Sequence, residues 1–269
     1  MDARVESGRI GRREPLFNVP ACVSLSIGVL IAIHLAYWTF GESFDDQVIV
    51  KLAFLPARLT AFLSPQSVDA LVSRAAGDSA ALEKLHALAP FQIENGLKPW
   101  TLLTYALLHG SWTHLGLNCI WLLAFGAPVA RRIGAARFFA LSAGGAVAAA
   151  LAQWAVDPLG AAPLIGASGS VSALMGACSR FMFLPGGVLR GTPGEPPPAP
   201  LPPLRALVRD RRALLFVGIW AALNFIFGAD AVEMGLSDAP VAWVAHVGGF
   251  AFGLLALGAF ERPRASSAA

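Results

Sequence analysis

Residues 164–176 read LIGASGSVSALMG, a run of small and apolar residues in which Ser168 has glycines at positions 166 and 169. The run predicts a loop that passes directly into a helix, with Ser168 at the helix start. A hydroxyl there lies beside unpaired backbone N–H groups and the positive end of the helix dipole. Because such surroundings stabilise an oxyanion, Ser168 is a candidate nucleophile. The alternative is that Ser168 only caps a tightly packed helix, a role for which serine is common.

The composition around this run predicts a membrane protein. Of the 269 residues, 56% are hydrophobic and 14% are charged, whereas soluble domains carry about 25% charged residues. The mean hydropathy is +0.61. We therefore expect an all-α, polytopic membrane protein with the lipid bilayer as its first partner. The basic residues form no patch interleaved with aromatics, which argues against a nucleic-acid partner.

Six apolar segments predict six transmembrane helices, and together they define a six-helix domain over residues 19–260 with short polar tails at 1–18 and 261–269. The predicted spans are 19–40, 112–129, 137–155, 167–184, 213–228 and 241–260. Within the long first loop, residues 41–98, the segment 48–63 contains Lys51, Pro56 and Arg58 and predicts a helix lying in the membrane interface. A second, mixed helical pattern covers residues 66–89.

The loop after the fourth span, residues 185–212, combines two kinds of sequence. Residues 185–203 contain eight prolines, which predicts a stiff, extended linker. Four arginines follow it. Basic residues also mark the N-terminal tail and the turn near residue 131, whereas the loops 157–165 and 229–240 contain no Lys or Arg. The positive-inside rule therefore predicts that both termini are cytoplasmic and that Ser168 lies near the extracytoplasmic face.

A histidine on the last span is the predicted partner of Ser168. His246, Gly249 and Gly253 share one helix face at spacings i, i+3 and i+7. The two glycines form a Gly-x-x-x-Gly pair that lets another helix approach closely. The fourth span, which also repeats small residues every four positions from Ser168, is the expected neighbour. All 17 acidic residues lie outside the spans, so the sequence predicts a Ser168–His246 nucleophile and base without a carboxylate.

The start of the second span supplies further polar groups. His114 and Asn118 share a helix face at i and i+4, and both are able to donate hydrogen bonds to an oxyanion together with the Ser168 backbone N–H. A metal site built from His109, His114 and His246 is the competing interpretation. The four-residue gap between the first two histidines places them on different faces, and the glutamate of the zinc-protease helix motif is missing. The cysteines 22, 119 and 178 all lie in apolar segments, so neither a disulfide nor a cysteine metal site is expected.

Three motifs in this order resemble the rhomboid family of intramembrane serine proteases. They are His109…His114…Asn118, Gly166-Ala167-Ser168-Gly169, and Ala245-His246-x-x-Gly249-x-x-x-Gly253. The similarity covers roughly residues 95–260, and Trp220-x-x-x-Asn224-x-x-x-Gly228 is similar to bacterial members. The resemblance implies a six-helix core that cuts transmembrane protein substrates near their extracytoplasmic end, without cofactor or metal, in a bacterial inner membrane.

The resemblance also implies roles for single residues. Ser168 matches the family nucleophile and His246 its general base, while His114 and Asn118 match the oxyanion-hole side chains. The supporting positions are a histidine that ties the nearby loop and glycines around the nucleophile and in the helix contact, namely His109, Gly166, Gly169, Gly249 and Gly253.

This sequence departs from the family pattern in two places. The Trp-Arg pair of the first loop is Trp100-Thr101 here, and Ser172 replaces an aromatic residue that stacks on the histidine in some members. Two other functions stay open. An inactive rhomboid-like protein that binds or escorts transmembrane helices usually lacks the serine or the histidine, and both are present. A transporter predicts buried acids or broken helices at mid-membrane, and the sequence contains neither.

Overall fold

The computed structural model describes residues 19–40, 42–91, 96–185, 199–230 and 242–261. Within these ranges the regular structure is helical, and the only β pairing is an isolated antiparallel bridge between Phe54 and Leu164. The all-α prediction is therefore confirmed for the described part of the chain. The α-helices, in chain order, are α1 Ala21–Phe40, α2 Glu42–Leu52, α3 Pro56–Leu63, α4 Pro65–Ala75, α5 Ser79–Leu88, α6 Thr101–Thr104, α7 Trp112–Trp121, α8 Ala127–Ile133, α9 Ala135–Val156, α10 Ser168–Ser179, α11 Leu204–Leu207, α12 Arg211–Asp230 and α13 Trp243–Ala256.

Four helical segments among the described residues are long and apolar enough to cross a membrane. They are Ala21–Phe40, Trp112–Ile133, Ala135–Val156 and Trp243–Phe260. These segments match the first, second, third and sixth predicted spans, so the chain is a multi-pass membrane protein. The other two predicted spans correspond to α10 and α12, and the count of six stays a prediction.

The second span is not a uniform α-helix. Residues Leu122–Gly126 between α7 and α8 form a π-helical turn, and Pro128 follows immediately in α8. Proline lacks the N–H that would close the preceding turn, so the wider turn accommodates it without ending the helix. The span continues to Ile133, four residues beyond the predicted end.

Helix α10 lies in the centre of the fold and is shorter than predicted. It ends at Ser179, whereas the predicted span ran to residue 184. Its 12 residues rise about 18 Å, less than the roughly 30 Å hydrocarbon core. Residues 171–179 are all buried, against neighbours that include Leu141 of α9 and Phe250 of α13. Because protein surrounds α10, its length is not set by contact with lipid.

The first loop folds into four helices, α2 to α5. The single interfacial helix predicted for 48–63 is divided between α2 and α3, and the helical pattern predicted for 66–89 forms α4 and α5. The chain is extended at Phe54, whose N–H and C=O pair with Leu164 at 3.2 and 2.8 Å. Pro56 then begins α3 at a position where its missing N–H costs nothing. The break thus connects the loop to the segment immediately before Ser168.

The loop is held by side chains that donate to backbone carbonyls. Arg58, which is 2% exposed, donates to the Val50 and Phe91 carbonyls at 3.2 and 2.8 Å. The Trp100 indole donates to the Lys51 carbonyl at 2.9 Å. The Thr101 hydroxyl donates to the Lys98 carbonyl, three residues earlier in the chain. The guanidinium that ties this loop together therefore comes from Arg58 and not from the position after Trp100.

Several predicted segments lie outside the described residues. They are the N-terminal tail 1–18, most of the proline-rich linker, most of the loop 229–240 and the C-terminal tail beyond residue 261.

Candidate active site

Helices α10 and α13 approach each other through glycine. A Cβ atom at Gly249 would collide with the Gly169 carbonyl oxygen, and one at Gly253 would collide with the Ala173 carbonyl. Gly249 faces Gly169, and four residues later Gly253 faces Ala173. The residue numbers increase in the same direction along both helices, so the helices run parallel with their N-termini at the same end. His246 precedes Gly249 by three residues, about one turn or roughly 5 Å of rise. The first turn of α10, which contains Ser168, therefore lies at the level of His246.

Ser168 is the first residue of α10, as predicted from the sequence. The N-cap position belongs to Ala167, so Ser168 does not occupy the capping position that the alternative interpretation assigned to it. Its side chain is half-buried. The preceding Gly166 has φ of +110°, a left-handed conformation that favours glycine, and its N–H donates to the Tyr105 carbonyl at 3.0 Å. The backbone conformation at Gly166 thus fixes the start of α10 and, with it, the position of the Ser168 hydroxyl.

His114 lies beside the nucleophile loop. A Cβ placed on Gly166 would come within 2.7 Å of His114 Nε2 and 3.7 Å of Ser168 Oγ, so both side chains flank the same point. The His114 backbone N–H donates to the Ser111 hydroxyl at 3.1 Å, which caps α7 and holds its first turn in place. A glycine at 166 is needed here both for its φ and for the space that His114 takes.

Asn118 is one turn further along α7 and is 5% exposed. Its amide Nδ2 donates to the His114 carbonyl at 3.0 Å, a bond within its own helix. That bond uses one of the two amide N–H groups, which leaves the second available as a donor. The structure thus brings His114 to Ser168 and places Asn118 in the turn behind it.

His109 ties three elements together. Its Nε2 accepts a hydrogen bond from the Ala167 N–H at 3.4 Å, immediately before the nucleophile. Its backbone N–H donates to the Tyr37 hydroxyl at 2.7 Å, and that hydroxyl donates to the His109 carbonyl at 2.5 Å. Tyr37 also contacts His34 Nδ1 at 2.5 Å. The role of His34 and Tyr37 in holding this segment was not recognised from the sequence.

His246 is held by α12, a contact that its sequence does not predict. His246 Nδ1 lies 2.7 Å from Oδ1 of Asn224 in α12, and Asn224 Nδ2 donates to the Trp243 carbonyl at 3.1 Å. Asn224 is 8% exposed. Among the described residues no hydrogen bond joins the Ser168 hydroxyl to His246. Catalytic hydrogen bonds are often long in unliganded enzymes and shorten when substrate binds.

Comparison with known proteins places this chain in a family. The family profile described as the rhomboid domain matches residues 97–262, more than half of the chain. The rhomboid protease GlpG of Serratia proteamaculans is 30% identical over 159 residues, 59% of this chain and 47% of that protein. The putative rhomboid protease YdcA of Bacillus subtilis is 34% identical over 85 residues, 32% of this chain and 41% of that protein.

A human protein shares a shorter segment. Rhomboid-related protein 3 of Homo sapiens is 40% identical over 78 residues, which is 29% of this chain and 19% of that protein. The matched segments thus cover less than half of each relative. The family profile nevertheless extends over α7, α10 and α13, the helices that contain the proposed nucleophile, base and oxyanion-hole side chains. The chain belongs to the rhomboid family.

Proposed function

We propose that this protein is an intramembrane serine endopeptidase that hydrolyses peptide bonds in or next to transmembrane segments of membrane proteins. Ser168 is the nucleophile and His246 the general base. The observation that carries the proposal is the glycine contact between α10 and α13, since it sets the first turn of α10 level with His246. The relatives named rhomboid proteases support the reaction class.

The first half of the reaction forms an acyl-enzyme. The Ser168 hydroxyl gives its proton to His246 as Oγ attacks the scissile carbonyl carbon. The carbonyl becomes a tetrahedral oxyanion, which the Ser168 N–H stabilises at the α10 N-terminus together with His114 and Asn118. When the intermediate collapses, the C–N bond breaks and His246 gives the proton to the leaving amine.

Water completes the reaction by attacking the acyl carbon while His246 again accepts a proton. The bond between the acyl carbon and Ser168 Oγ then breaks, and His246 returns the proton to Oγ. We propose that this water comes from the extracytoplasmic side, because the basic loops predict a cytoplasmic location for the opposite end of α10. Arg180 follows that opposite end directly. The chain would then be an inner-membrane protein of six spans with both termini in the cytoplasm.

The substrate must present an extended backbone, because the carbonyls of a hydrogen-bonded helix are already engaged. We therefore expect single-span or other transmembrane protein substrates with helix-weakening residues such as Gly or Pro near their outer end. The test is cleavage of such a single-span protein in proteoliposomes that contain the full chain. Wild type should cleave it, whereas Ser168→Ala and His246→Ala should not.

Two outcomes would overturn the proposal. Equal cleavage by wild type and Ser168→Ala would remove the nucleophile assignment. Binding of the single-span protein without cleavage, and without reaction of Ser168 with a fluorophosphonate probe, would favour an inactive rhomboid-like binding protein instead.

A further inference from the structure

One buried amide contacts the proposed general base and takes no direct part in the proposed reaction. Asn224 of α12 is 8% exposed and lies between two groups of α13, the His246 ring and the Trp243 carbonyl. A buried amide in a lipid-embedded segment is costly unless its hydrogen bonds are made. Both ends of this amide are satisfied by α13, and one of its two partners is the proposed general base.

The hydrogen bonds fix which way the amide points. The Trp243 carbonyl can only accept, so the group that faces it at 3.1 Å must be the amide nitrogen. The opposite orientation would set two carbonyl oxygens against each other. Oδ1 is therefore the atom that lies 2.7 Å from His246 Nδ1.

The orientation of the amide in turn fixes the tautomer of the histidine. Because Oδ1 can only accept, Nδ1 of His246 must be the protonated nitrogen. In a neutral imidazole this leaves Nε2 with a free lone pair. A general base needs that lone pair, and a histidine in the other tautomer would have its proton on the wrong nitrogen.

Building on the proposed function, we propose that Asn224 is a positioning residue that holds His246 in the base-competent tautomer, as the third group of a Ser168–His246–Asn224 arrangement drawn from three helices. An amide can fill this place, as it does beside the catalytic histidine of papain-like cysteine proteases. When Nε2 takes the Ser168 proton, the Nδ1–H bond to Oδ1 stays in place and stabilises the imidazolium. Some family members have an aromatic residue that stacks on the histidine, and Ser172 stands at that position here. In this chain Asn224 would be the group that orients His246.

Two substitutions at this position separate the histidine bond from the backbone bond. Asn224→Leu is close in volume and removes both. Asn224→Asp keeps an acceptor for Nδ1–H, while its carboxylate cannot donate to the Trp243 carbonyl. If Asn224 acts through His246, the aspartate should preserve catalysis and the leucine should not. If Asn224 only docks α12 onto α13, the two variants should behave alike.

The experiment measures kcat, KM and thermal stability of the full chain in proteoliposomes with a single-span test substrate. We expect Asn224→Leu to lower kcat by about 100-fold or more with KM within about threefold, since a general base contributes roughly 10²–10⁴-fold. Asn224→Asp should stay within about tenfold of wild type. The matched control is Phe225→Leu, the next residue on α12, whose ring centroid lies 6.2 Å from that of Trp243; its kcat should be unchanged.

The activity of the Asn224 variants tests the positioning role separately from the protease assignment. Equal kcat for wild type and Asn224→Leu, or equal losses for the leucine and aspartate variants, would overturn the positioning role while leaving the protease assignment intact. Should Asn224→Leu fail to fold, the same comparison is made between Asn224→Ala and Asn224→Asp. Ser168→Ala is included in the series. If it cleaves like wild type, or if wild type neither cleaves nor reacts with a fluorophosphonate, the proposed function fails and the positioning role fails with it.

Discussion

The hydroxyl of Tyr37 is the smallest feature on which the site depends. It bonds to both the backbone N–H and the carbonyl of His109, and His109 in turn accepts from the Ala167 N–H. One phenol group on α1 thereby fixes the segment that precedes α7 and, through it, the start of α10.

We predict that Tyr37→Phe destabilises the protein by about 1–3 kcal/mol, because it removes a buried hydrogen-bond partner from His109. Thermal unfolding in detergent measures this. The control is Thr39→Val on the same helix, since the exposed Thr39 hydroxyl donates to the Leu35 carbonyl within its own helix and its loss should change stability by less than about 0.5 kcal/mol. Identical unfolding of Tyr37→Phe and wild type would show that the hydroxyl holds nothing.

Residue spacing was sufficient to predict some of the site and not the rest. The glycine spacing on the last span correctly predicted its contact with the fourth, and the helix start at Ser168 followed from the glycines around it. The Asn224 and Tyr37 contacts were not predictable in the same way. The described parts of α12 and α1 are apolar on most sides, so their sequences do not reveal which face turns inward. Only the packed structure shows that these two polar groups face histidines.

At the scale of helices, the fold depends on how closely α10 and α13 approach. A Cβ at Gly249 would meet the Gly169 carbonyl oxygen, and a backbone carbonyl inside a helix cannot move aside. The same contact sets the level of His246 relative to Ser168. A change in the distance between α10 and α13 would therefore also change the position of His246 relative to Ser168.

We predict that Gly249→Ala destabilises the protein by about 1–3 kcal/mol or more through overpacking, and that it also abolishes cleavage of a single-span substrate. Gly28→Ala is the matched control, because a Cβ at Gly28 meets nothing within 4 Å. That change should be neutral or stabilising by up to about 1 kcal/mol. Thermal unfolding and the cleavage rate are measured together. Full activity of Gly249→Ala would contradict the account of the helix contact.

The fourth span and the interfacial helix differ from their predictions, each for a physical reason. The apolar sequence predicts a fourth span over 167–184, yet α10 ends at Ser179 inside a shell of other helices. Apolar composition does not distinguish burial in protein from burial in lipid. The interfacial helix 48–63 is broken at Phe54 by its pairing with Leu164, a contact between segments more than 100 residues apart that local pattern cannot reveal.

At the scale of the whole molecule, the chain has a polar end opposite Ser168. Arg132 is 9% exposed and pairs with Glu261 at 2.5 Å, which links the end of the second span to the end of the last. Arg180 donates to the Pro202 carbonyl at 2.8 Å. By the positive-inside rule this end should face the cytoplasm.

Cysteine labelling in intact cells tests the predicted orientation of the chain in the membrane. Ala162→Cys, in the exposed part of the loop before Ser168, should react with a membrane-impermeant maleimide. Val208→Cys, 64% exposed in the basic loop, is its matched counterpart and should react only after permeabilisation. The native chain supplies the background from its own three cysteines. The reverse labelling pattern would place Ser168 at the cytoplasmic face and contradict the topology.

The most direct test of the central claim is to react the full chain with a fluorophosphonate and map the adduct by mass spectrometry. We predict one adduct on the Ser168 hydroxyl, with the labelling rate reduced at least about 100-fold in His246→Ala because the base is lost. Labelling of Ser168→Ala equal to wild type, or labelling of Ser168 at the same rate without His246, would contradict it.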